Sequence, residues 1–309
     1  MCGIAGTIGV TDKNIFIAMN GAMAHRGPDD HGIYIDEQNR FGFAHRRLSI
    51  IDLSSAGHQP MSYLGGRYWI VYNGEIYNYK DIRADLEKKG CTFTSNTDTE
   101  VLLAAYAEWG RDCLKKLRGM FAFAIYDKQT SQTFLARDRF GIKPLYYSRQ
   151  NGFFLFASEI KTLLASGLIS KRVDYQAIWD YISIGCIPQP RTILQEVKAL
   201  LPGHSMLLTS NGEIIINRYW DLWDYAPQSS HTVDSSIASE ELRVKLEEAT
   251  RLHMIADVPV GAFLSGGIDS TAVVGLMSQY VSHPIKTFSV GFESKYAKLN
   301  EFKWAKIVS

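Results

Sequence analysis

The sequence has 309 residues, a length that corresponds to about two domains and allows a sizeable core. Hydrophobic residues make up 46% of it and charged residues 21%, which is typical of soluble globular proteins. Lys and Arg number 33 against 32 Asp and Glu, so the net charge is +1. Without a block of like charges, the sequence predicts neither a nucleic-acid partner nor an anionic membrane partner.

The N-terminus does not have the charged and apolar regions of a signal peptide, and no apolar run approaches the roughly 18 residues of a membrane helix. We therefore expect a cytoplasmic protein with no membrane contact. The four cysteines are scattered, with no CxxC pair and no His at zinc-ligand spacing: Cys2, Cys91, Cys113 and Cys186. This spacing predicts neither a disulfide framework nor a metal site.

The chain opens with Met1-Cys2-Gly3-Ile4. Removal of Met1, which a small second residue permits, would give Cys2 a thiol and a free amino group on the same carbon. An α-amino group has a reference pKa of roughly 7.7 to 8.0, so part of it is neutral near pH 7 and can accept the thiol proton. The tetrapeptide alone is also compatible with an incidental cysteine.

From residue 2 to about 209, short apolar and aromatic runs alternate with Gly, Asn, Asp and Pro. The runs predict strands over residues 3–10, 32–35, 41–48, 68–72, 122–126, 133–136, 145–147 and 153–157. Helical spacing of apolar residues predicts helices over 81–89 and 97–109. Sheets packed together and covered outside by helices, an α+β layered domain, fit this order.

The stretch 210–239 is polar, contains turn residues and has no sustained period, so it is interpreted as a linker. A helical pattern follows over 240–254. Then come an apolar run at 258–264, a helical pattern at 268–280 and another apolar run at 285–290. This order predicts the βαβ unit of a parallel sheet, followed by a short helix over 301–308.

The loop between that first apolar run and its helix reads Ser265-Gly266-Gly267-Ile268-Asp269-Ser270. Two glycines allow the backbone to approach a ligand, and amides at a helix N-terminus favour a phosphate group. An ordinary glycine-rich turn has the same composition, and the Lys of a Walker A loop is absent. The full SGGIDS after VGAFL resembles the pyrophosphate loop of the ATP pyrophosphatase superfamily.

Several motifs precede this loop: RGPDD from Arg26, HRRLSI from His45, NGEIYN from Asn73, NTDTEV around Asp98 and RDRFGIKPLYY from Arg137. Individually each has an ordinary interpretation; Asn73-Gly74, for instance, is typical of a hairpin turn. Together with Cys2 they resemble the glutaminase domain of class II glutamine amidotransferases, which are N-terminal nucleophile hydrolases. With the SGGIDS loop added, the chain resembles the family of glutamine-hydrolysing asparagine synthetases.

The resemblance implies an α+β αββα sandwich over residues 2–209, the linker, and an incomplete α/β parallel-sheet ATP-pyrophosphatase domain over 240–309. It implies that Cys2 attacks the glutamine amide while Asn73 and the Gly74 N–H form an oxyanion hole. Arg47 would bind the substrate carboxylate, and Glu75 and Asp98 its ammonium group. The ATP-binding positions implied are Leu264, Ser265, Gly266, Gly267, Asp269, Ser270 and Val290.

The implied substrates are glutamine, aspartate and ATP with Mg²⁺, joined through a β-aspartyl-AMP intermediate, and the resemblance is compatible with a homodimer. Because the family's synthetase domain continues with further strands and a second acidic glycine-rich motif, we interpret the chain as a truncated form. Two alternatives stay open at this point. One is a related amidotransferase that acts on another carboxylate, and the other is a non-catalytic binding protein that retains the fold.

Overall fold

The computed structural model describes residues 1–150, 152–226, 234–293 and 300–309. The chain divides into two compact units, Met1–Ala226 and Pro227–Ser309.

The first unit contains two antiparallel sheets of six strands each. The first sheet consists of β1 (Gly3–Ile8), β2 (Asp30–Asp36), β3 (Phe41–Arg47), β8 (Tyr146–Gln150), β9 (Phe153–Ala157) and β10 (Lys198–Ala199). The second consists of β4 (Met61–Tyr63), β5 (Tyr68–Ile76), β6 (Gly119–Asp127), β7 (Gln132–Arg137), β11 (His204–Leu208) and β12 (Ile214–Arg218). The spatial orders are β10-β8-β9-β1-β3-β2 and β12-β11-β7-β6-β5-β4, so β1 and β5 are flanked by neighbours on both sides.

The two sheets pack face to face through large apolar side chains. Ile4 from β1 and Val71 from β5 belong to one buried cluster between the sheets, and both are fully buried. In the same cluster the Phe41 ring stacks on the Tyr126 ring of the other sheet, with centroids 3.8 Å apart. Burial of this apolar surface is the main force that holds the sheets together.

Helices cover the outer faces of both sheets. The helices of this unit are α1 (Lys13–Ala22), α2 (Tyr79–Lys88), α3 (Asp98–Trp109), α4 (Cys113–Lys116), α5 (Ile160–Ala165) and α6 (Tyr175–Ile184). A second core cluster joins α1 and α5 to the first sheet, for example through Phe16, Leu163 and Ala44. On the second sheet, α3 packs against β5 and α2 packs against α3. The layers are therefore helix, sheet, sheet, helix, as in the αββα sandwich that the sequence resemblance implied.

The second unit contains α7 (Ser235–His253), β13 (Gly261–Phe263), α8 (Ile268–Met277), β14 (Lys286–Phe288) and α9 (Phe302–Val308). Strands β13 and β14 pair in parallel, with Ala262 opposite Thr287. The predicted strand-helix-strand unit is confirmed for the described residues. Several of its large apolar side chains are exposed, including Phe263, Ile268 and Val290.

The structure corrects the sequence interpretation at Asn73-Gly74. Strand β5 continues through both residues to Ile76, where it still pairs with Gly119 of β6. The predicted strand over 68–72 is thus too short, because β6 pairs with β5 along its whole length, a constraint that the turn propensity of Asn-Gly does not contain.

Other elements lie outside the predicted ones. Strand β12 falls within the stretch 210–239 that was interpreted as a linker; it pairs with β11 along Ile214–Arg218. Helix α7 starts at Ser235, and the predicted linker also includes residues 227–233, which lie outside the described ones. Helices α1, α5 and α6 occupy stretches for which the sequence analysis named no element. The assignments of domains to 2–209 and 240–309 stay predictions.

A glycine in β1 allows the core to close around the strand that follows Cys2. Gly6 lies directly opposite Phe43 on β3 and Phe156 on β9, and these two rings meet edge to face at 5.6 Å. A Cβ on Gly6 would lie 2.5 Å from Phe156 and 2.7 Å from Phe43.

We therefore expect Gly6→Ala to lower the free energy of unfolding by about 2 kcal/mol or more, since overpacking a closed core forces side chains off their rotamers. Gly21→Ala is the matched control, because Gly21 lies in α1, where an added Cβ would meet no neighbouring side chain within 4 Å. That substitution should be neutral or stabilising by up to about 1 kcal/mol. Urea denaturation measures both, and equal stability of the two variants would contradict the prediction.

Candidate active site

Cys2 directly precedes β1, and two side chains hold the backbone at Cys2 and at nearby Ile4. The Arg26 Nε donates to the Cys2 carbonyl at 2.8 Å, and the Ile4 N–H donates to Ser158 Oγ at 3.0 Å. The Cys2 sulfur accepts a hydrogen bond from the Leu48 N–H at 3.4 Å, just beyond the end of β3. These contacts fix the position of the thiol relative to the first sheet.

Asn73 and Glu75 follow Val71 on the inner face of β5, because side chains alternate between the two faces of a strand. The inner face of β5 looks toward the sheet that contains β1. Asn73 and Glu75 therefore lie across from the start of β1, and both line one cavity together with Cys2.

The Asn73 side chain has an unusual environment. It is 1% exposed, and its Nδ2 has no hydrogen-bond partner among the described residues. A buried donor without a partner costs about 1–3 kcal/mol. Asn73 lines the cavity, so this donor is buried next to the space that a ligand would occupy.

Gly74 provides a second donor beside Asn73. The Tyr72 N–H donates to Gln59 Oε1 at 2.7 Å, and the Ile76 N–H donates to Asp98 Oδ2 at 2.9 Å. Both N–H groups therefore lie on the edge of β5 that is opposite β6. Because N–H groups alternate sides along a strand, the Gly74 N–H lies on the same edge between them. Gly74 is required here, since a Cβ would lie 2.3 Å from the Met120 carbonyl oxygen.

Arg47 ends β3 with a buried guanidinium group. Its Nη1 donates to the Ser54 carbonyl at 2.9 Å, and its Nη2 donates to the carbonyls of Ile51, at 3.2 Å, and Asp52. Arginine has five N–H donors, and these loop carbonyls take three of them. Arg47 also lines the cavity, and it holds the loop that forms one of its walls.

Asp98 is the first residue of α3, which Thr97 caps by accepting the Glu100 N–H at 3.1 Å. The Asp98 Oδ2 accepts from the Tyr72 hydroxyl at 2.8 Å and from the Ile76 N–H. These bonds anchor a buried carboxylate at the base of the cavity. The predicted helix over 97–109 thus delivers Asp98 to the site.

The structure brings all six sequence-predicted positions of the first domain to this cavity of about 190 Å³: Cys2, Arg47, Asn73, Gly74, Glu75 and Asp98. Sequence reasoning assigned no role to three further lining residues, Gln59, Tyr72 and Lys143. Lys143 belongs to the RDRFGIKPLYY motif, so the signal was present. Nothing local indicated that its side chain enters the same cavity as Cys2.

His45 joins the two sheets next to the site. Its Nε2 lies 3.0 Å from the Tyr72 carbonyl, which can only accept, so Nε2 carries the proton. The ring is fully buried, and burial lowers the pKa of His45 to about 4. A neutral His45 therefore ties β3 to β5 immediately before Asn73.

Burial also raises the pKa values of two acidic groups in the cavity, Cys2 and Glu75. It raises the pKa of the Cys2 thiol, although the Leu48 N–H and the positive charges of the N-terminus and Arg47 act in the opposite direction. Burial raises the pKa of Glu75 to about 7, against the attraction of the Lys143 ammonium. A thiol in this environment needs a base in order to ionise, and the N-terminal residue Met1 also lines the cavity.

In the second unit, hydrogen bonds close the SGGIDS loop on itself. The Ser265 and Ser270 hydroxyls lie 3.0 Å apart, and the Gly267 N–H donates to Ser265 Oγ at 3.3 Å. Gly266 has φ +82°, and a Cβ there would lie 2.4 Å from the Trp304 backbone. The loop connects β13 to α8, and Asp269 lies in the first turn of that helix.

The remaining predicted nucleotide positions differ in burial. Leu264 is 2% exposed, and its N–H donates to the Phe288 carbonyl at 2.8 Å, whereas Val290 is 70% exposed. Within the described ranges, no group of three His, Cys, Asp or Glu side chains could hold a metal ion. Across the same ranges, no helix is long and apolar enough to cross a membrane.

Two family models match the chain. Residues 1–220 match the glutamine amidotransferase domain, and residues 241–309 match asparagine synthase.

Three curated relatives cover most of the chain. Asparagine synthetase [glutamine-hydrolyzing] 1 of Bacillus subtilis is 41% identical over 96% of this chain and 46% of its own length. Putative asparagine synthetase [glutamine-hydrolyzing] 2 of Methanocaldococcus jannaschii is 40% identical over 100% of this chain and 62% of its own length. Amidase chry2 of Gibberella zeae is 37% identical over 85% of this chain and 39% of its own length. The chain thus spans about half the length of the curated relatives it matches.

Among solved structures, the glutamine phosphoribosylpyrophosphate amidotransferase from B. subtilis, complexed with ADP and GMP, matches with a TM-score of 0.53. It is 16% identical, and the match covers 93% of this chain and 65% of that one. This likeness concerns the fold.

The high pKa of Glu75 has a consequence for stability. A carboxyl whose pKa is raised in the folded state favours folding when protonated, so its contribution is lost as the pH rises from the unfolded value of 4.5 through about 7. One pKa unit corresponds to about 1.4 kcal/mol. After allowance for partial exposure, Glu75→Gln should raise the free energy of unfolding by about 2 kcal/mol at pH 8.

The gain should be much smaller at pH 5, where most of Glu75 is protonated in the folded protein. Glu37→Gln is the control, because Glu37 is exposed and should show no such difference between the two pH values. Urea denaturation at pH 5 and pH 8 tests this prediction, which would be wrong if Glu75→Gln changed stability equally at both.

Proposed function

The chain belongs to the glutamine amidotransferase domain family, and from this premise we propose that its first unit hydrolyses L-glutamine with Cys2 as the nucleophile. One observation carries the proposal. The Asn73 side chain, whose buried Nδ2 has no hydrogen-bond partner among the described residues, lines the same cavity as Cys2. A donor held ready beside a nucleophile is what an oxyanion requires.

In the first step, removal of Met1 exposes the Cys2 amino group, which accepts the thiol proton. The sulfur then attacks the side-chain amide carbon of glutamine, and the carbonyl oxygen becomes an oxyanion. The Asn73 Nδ2 and the Gly74 N–H donate to that oxygen. When the carbon–nitrogen bond breaks, the Cys2 ammonium returns its proton to the departing nitrogen, so ammonia and a thioester result.

In the second step, water attacks the thioester carbon. The Cys2 amino group accepts a proton from the water, and the same two donors stabilise the second oxyanion. The carbon–sulfur bond breaks, the thiol regains the proton, and glutamate leaves. The amino group acts first as base and then as acid, so no other proton carrier is required.

The cavity also contains charges that are complementary to an amino acid. The positive charge of Arg47, which lines the cavity, suits the substrate carboxylate. Glu75 and Asp98 suit the ammonium group. Because Arg47 also holds the carbonyls of the loop that forms the cavity wall, its removal would disturb both the substrate and that loop.

For the second unit we propose ATP binding at Ser265–Ser270, with the α8 N-terminus and the two serine hydroxyls directed to the pyrophosphate group. Ammonia from the first unit would amidate an aspartyl-AMP intermediate, which gives asparagine. Mg²⁺ would accompany ATP, and a cytoplasmic homodimer stays a prediction.

The proposal has an alternative at one point, the identity of the carboxylate that accepts the ammonia. The relatives named asparagine synthetase favour aspartate, whereas the relative named amidase favours an amidotransferase that acts on another carboxylate. The carboxylate that supports pyrophosphate release from ATP distinguishes them. A non-catalytic binding role does not explain why Cys2, Asn73 and Gly74 share one cavity.

The oxyanion hole gives a kinetic prediction. Loss of one donor typically lowers kcat about 100- to 1,000-fold, because the donor acts in the transition state. Asn73→Ala should therefore lower kcat for glutamine by that factor with little change in KM, and Cys2→Ser should abolish glutamate formation. Glutamate release from purified protein, with the removal of Met1 verified by mass spectrometry, measures both.

Two controls match these substitutions. Asn14 is exposed at the start of α1 and Cys186 is exposed after α6, so Asn14→Ala and Cys186→Ser should behave like the unmodified protein. Full activity in Cys2→Ser would refute the nucleophile. A change in KM alone in Asn73→Ala would refute the oxyanion hole.

A further inference from the structure

Lys143 is held by a loop that the sequence builds around one buried carboxylate. Asp138 follows β7 and is 1% exposed. Its Oδ1 accepts the N–H groups of Phe140 and Ile142, at 3.1 and 2.9 Å, and its Oδ2 accepts the Lys143 N–H at 2.9 Å. The chain from 138 to 143 is thus wound around a single side chain.

Arg137 fixes the same loop from its carbonyl side. Its Nε donates to the Lys143 carbonyl at 2.8 Å, and its Nη2 donates to the Gly141 carbonyl at 2.8 Å. Its Nη1 donates to the Leu200 carbonyl at 2.6 Å, which connects the loop to the rest of the unit. Both backbone polar groups of Lys143 are therefore bound, and the direction of its side chain is set.

The side chain of Lys143 leads into the candidate active site. It is 5% exposed and lines the cavity together with Cys2 and Glu75. Burial lowers the pKa of Lys143, while the negative charges of Glu75 and Cys2 act in the opposite direction. Such an interaction is reciprocal: if a charged sulfur favours the ammonium, the ammonium favours the charged sulfur.

We propose that Lys143 is a positioning residue for glutamine hydrolysis, whose buried ammonium group stabilises the Cys2 thiolate and so increases the fraction of Cys2 that can attack. The proposal rests on the function proposed above and adds a residue to it. The positive charge of Lys143 also disfavours protonation of a neighbouring amine, and it acts so on the Met1 amino group. In the chain without Met1, the same charge would favour a neutral Cys2 amino group and an ionised thiol.

Other charges face Cys2 from the elements packed around it: the Met1 amino group, Arg26, Arg47, Tyr72, Glu75 and Asp98. Arg26 pairs with Glu159 at 2.8 Å, which compensates its charge. Arg47 donates three N–H groups to loop carbonyls. Asp98 opposes ionisation of Cys2. Lys143, like Arg47, is a buried cation that lines the cavity, and Glu75 is the negative group that acts on it most strongly.

The test is the pH dependence of Cys2 alkylation, which does not require glutamine. The purified protein without Met1 is treated with iodoacetamide from pH 6 to pH 9.5, and alkylation of the Cys2 peptide is quantified by mass spectrometry. We expect Lys143→Met, which keeps an unbranched stem but removes the charge, to alkylate about tenfold more slowly at pH 7, an upward shift of one pKa unit in the profile. Lys143→Arg keeps the charge and should stay within about twofold of the original protein.

Exposed Cys186 is an internal reference, and its profile should be the same in all variants. If Lys143→Met also alkylates buried Cys113, the variant has lost its fold and Lys143→Gln takes its place. An unchanged Cys2 profile in the neutral variant, or equal shifts in Lys143→Met and Lys143→Arg, would overturn the proposal. A shifted profile in a protein that never hydrolyses glutamine would instead refute the proposed function.

Discussion

Ile4 of β1 and Val71 of β5 are both fully buried between the two sheets, and this packing determines which side chains face Cys2. With Val71 inward, the next inward positions are Asn73 and Glu75. A slip of β5 by one residue would turn both away and present Tyr72 and Gly74 instead. Such a slip would also expose Val71 and Ile70 to the wrong layers, so the hydrophobic core maintains the geometry of the polar site.

The cavity concentrates groups that are costly to bury. Arg47, Asp98 and Lys143 are each at most 6% exposed, and Asn73 Nδ2 lacks a partner among the described residues. Arg47 donates hydrogen bonds to loop carbonyls. Asp98 accepts hydrogen bonds from the Tyr72 hydroxyl and the Ile76 N–H. The fold thus bears the cost of orienting donors and charges before any substrate arrives, which is the basis of electrostatic preorganisation.

Much of the fold could be predicted from the sequence because apolar alternation reports local burial. The strands around Phe41 and Phe153 and the helix that starts at Asp98 begin within one residue of the predicted positions. The ends of strands were predicted less well, since pairing with distant segments decides them. Asn73-Gly74 is favourable for a turn, yet β6 extends the strand through it. The β-branched run of β12 was missed because it lies in a polar context and needs β11 as its partner.

In the candidate site, too, the sequence predicted local features and missed those that depend on distant contacts. Resemblance of motifs predicted residues from four separate segments, and the structure brings Cys2, Arg47, Asn73, Gly74, Glu75 and Asp98 to one cavity. Lys143 lies within the RDRFGIKPLYY motif, but the resemblance predicts no role for it. Its position depends on two buried side chains, Arg137 and Asp138, and no local sequence pattern reveals their hydrogen bonds with the loop.

The central claim is that Cys2 reacts with a glutamine side chain bound in this cavity. The most direct measurement is covalent labelling of the protein by an electrophilic analogue of L-glutamine, followed by mass spectrometry of each cysteine peptide. The account predicts one adduct per chain, on Cys2, whose formation L-glutamine prevents and D-glutamine does not. Labelling at Cys91 or Cys186 instead, or labelling of Cys2 that L-glutamine leaves unchanged, would contradict it.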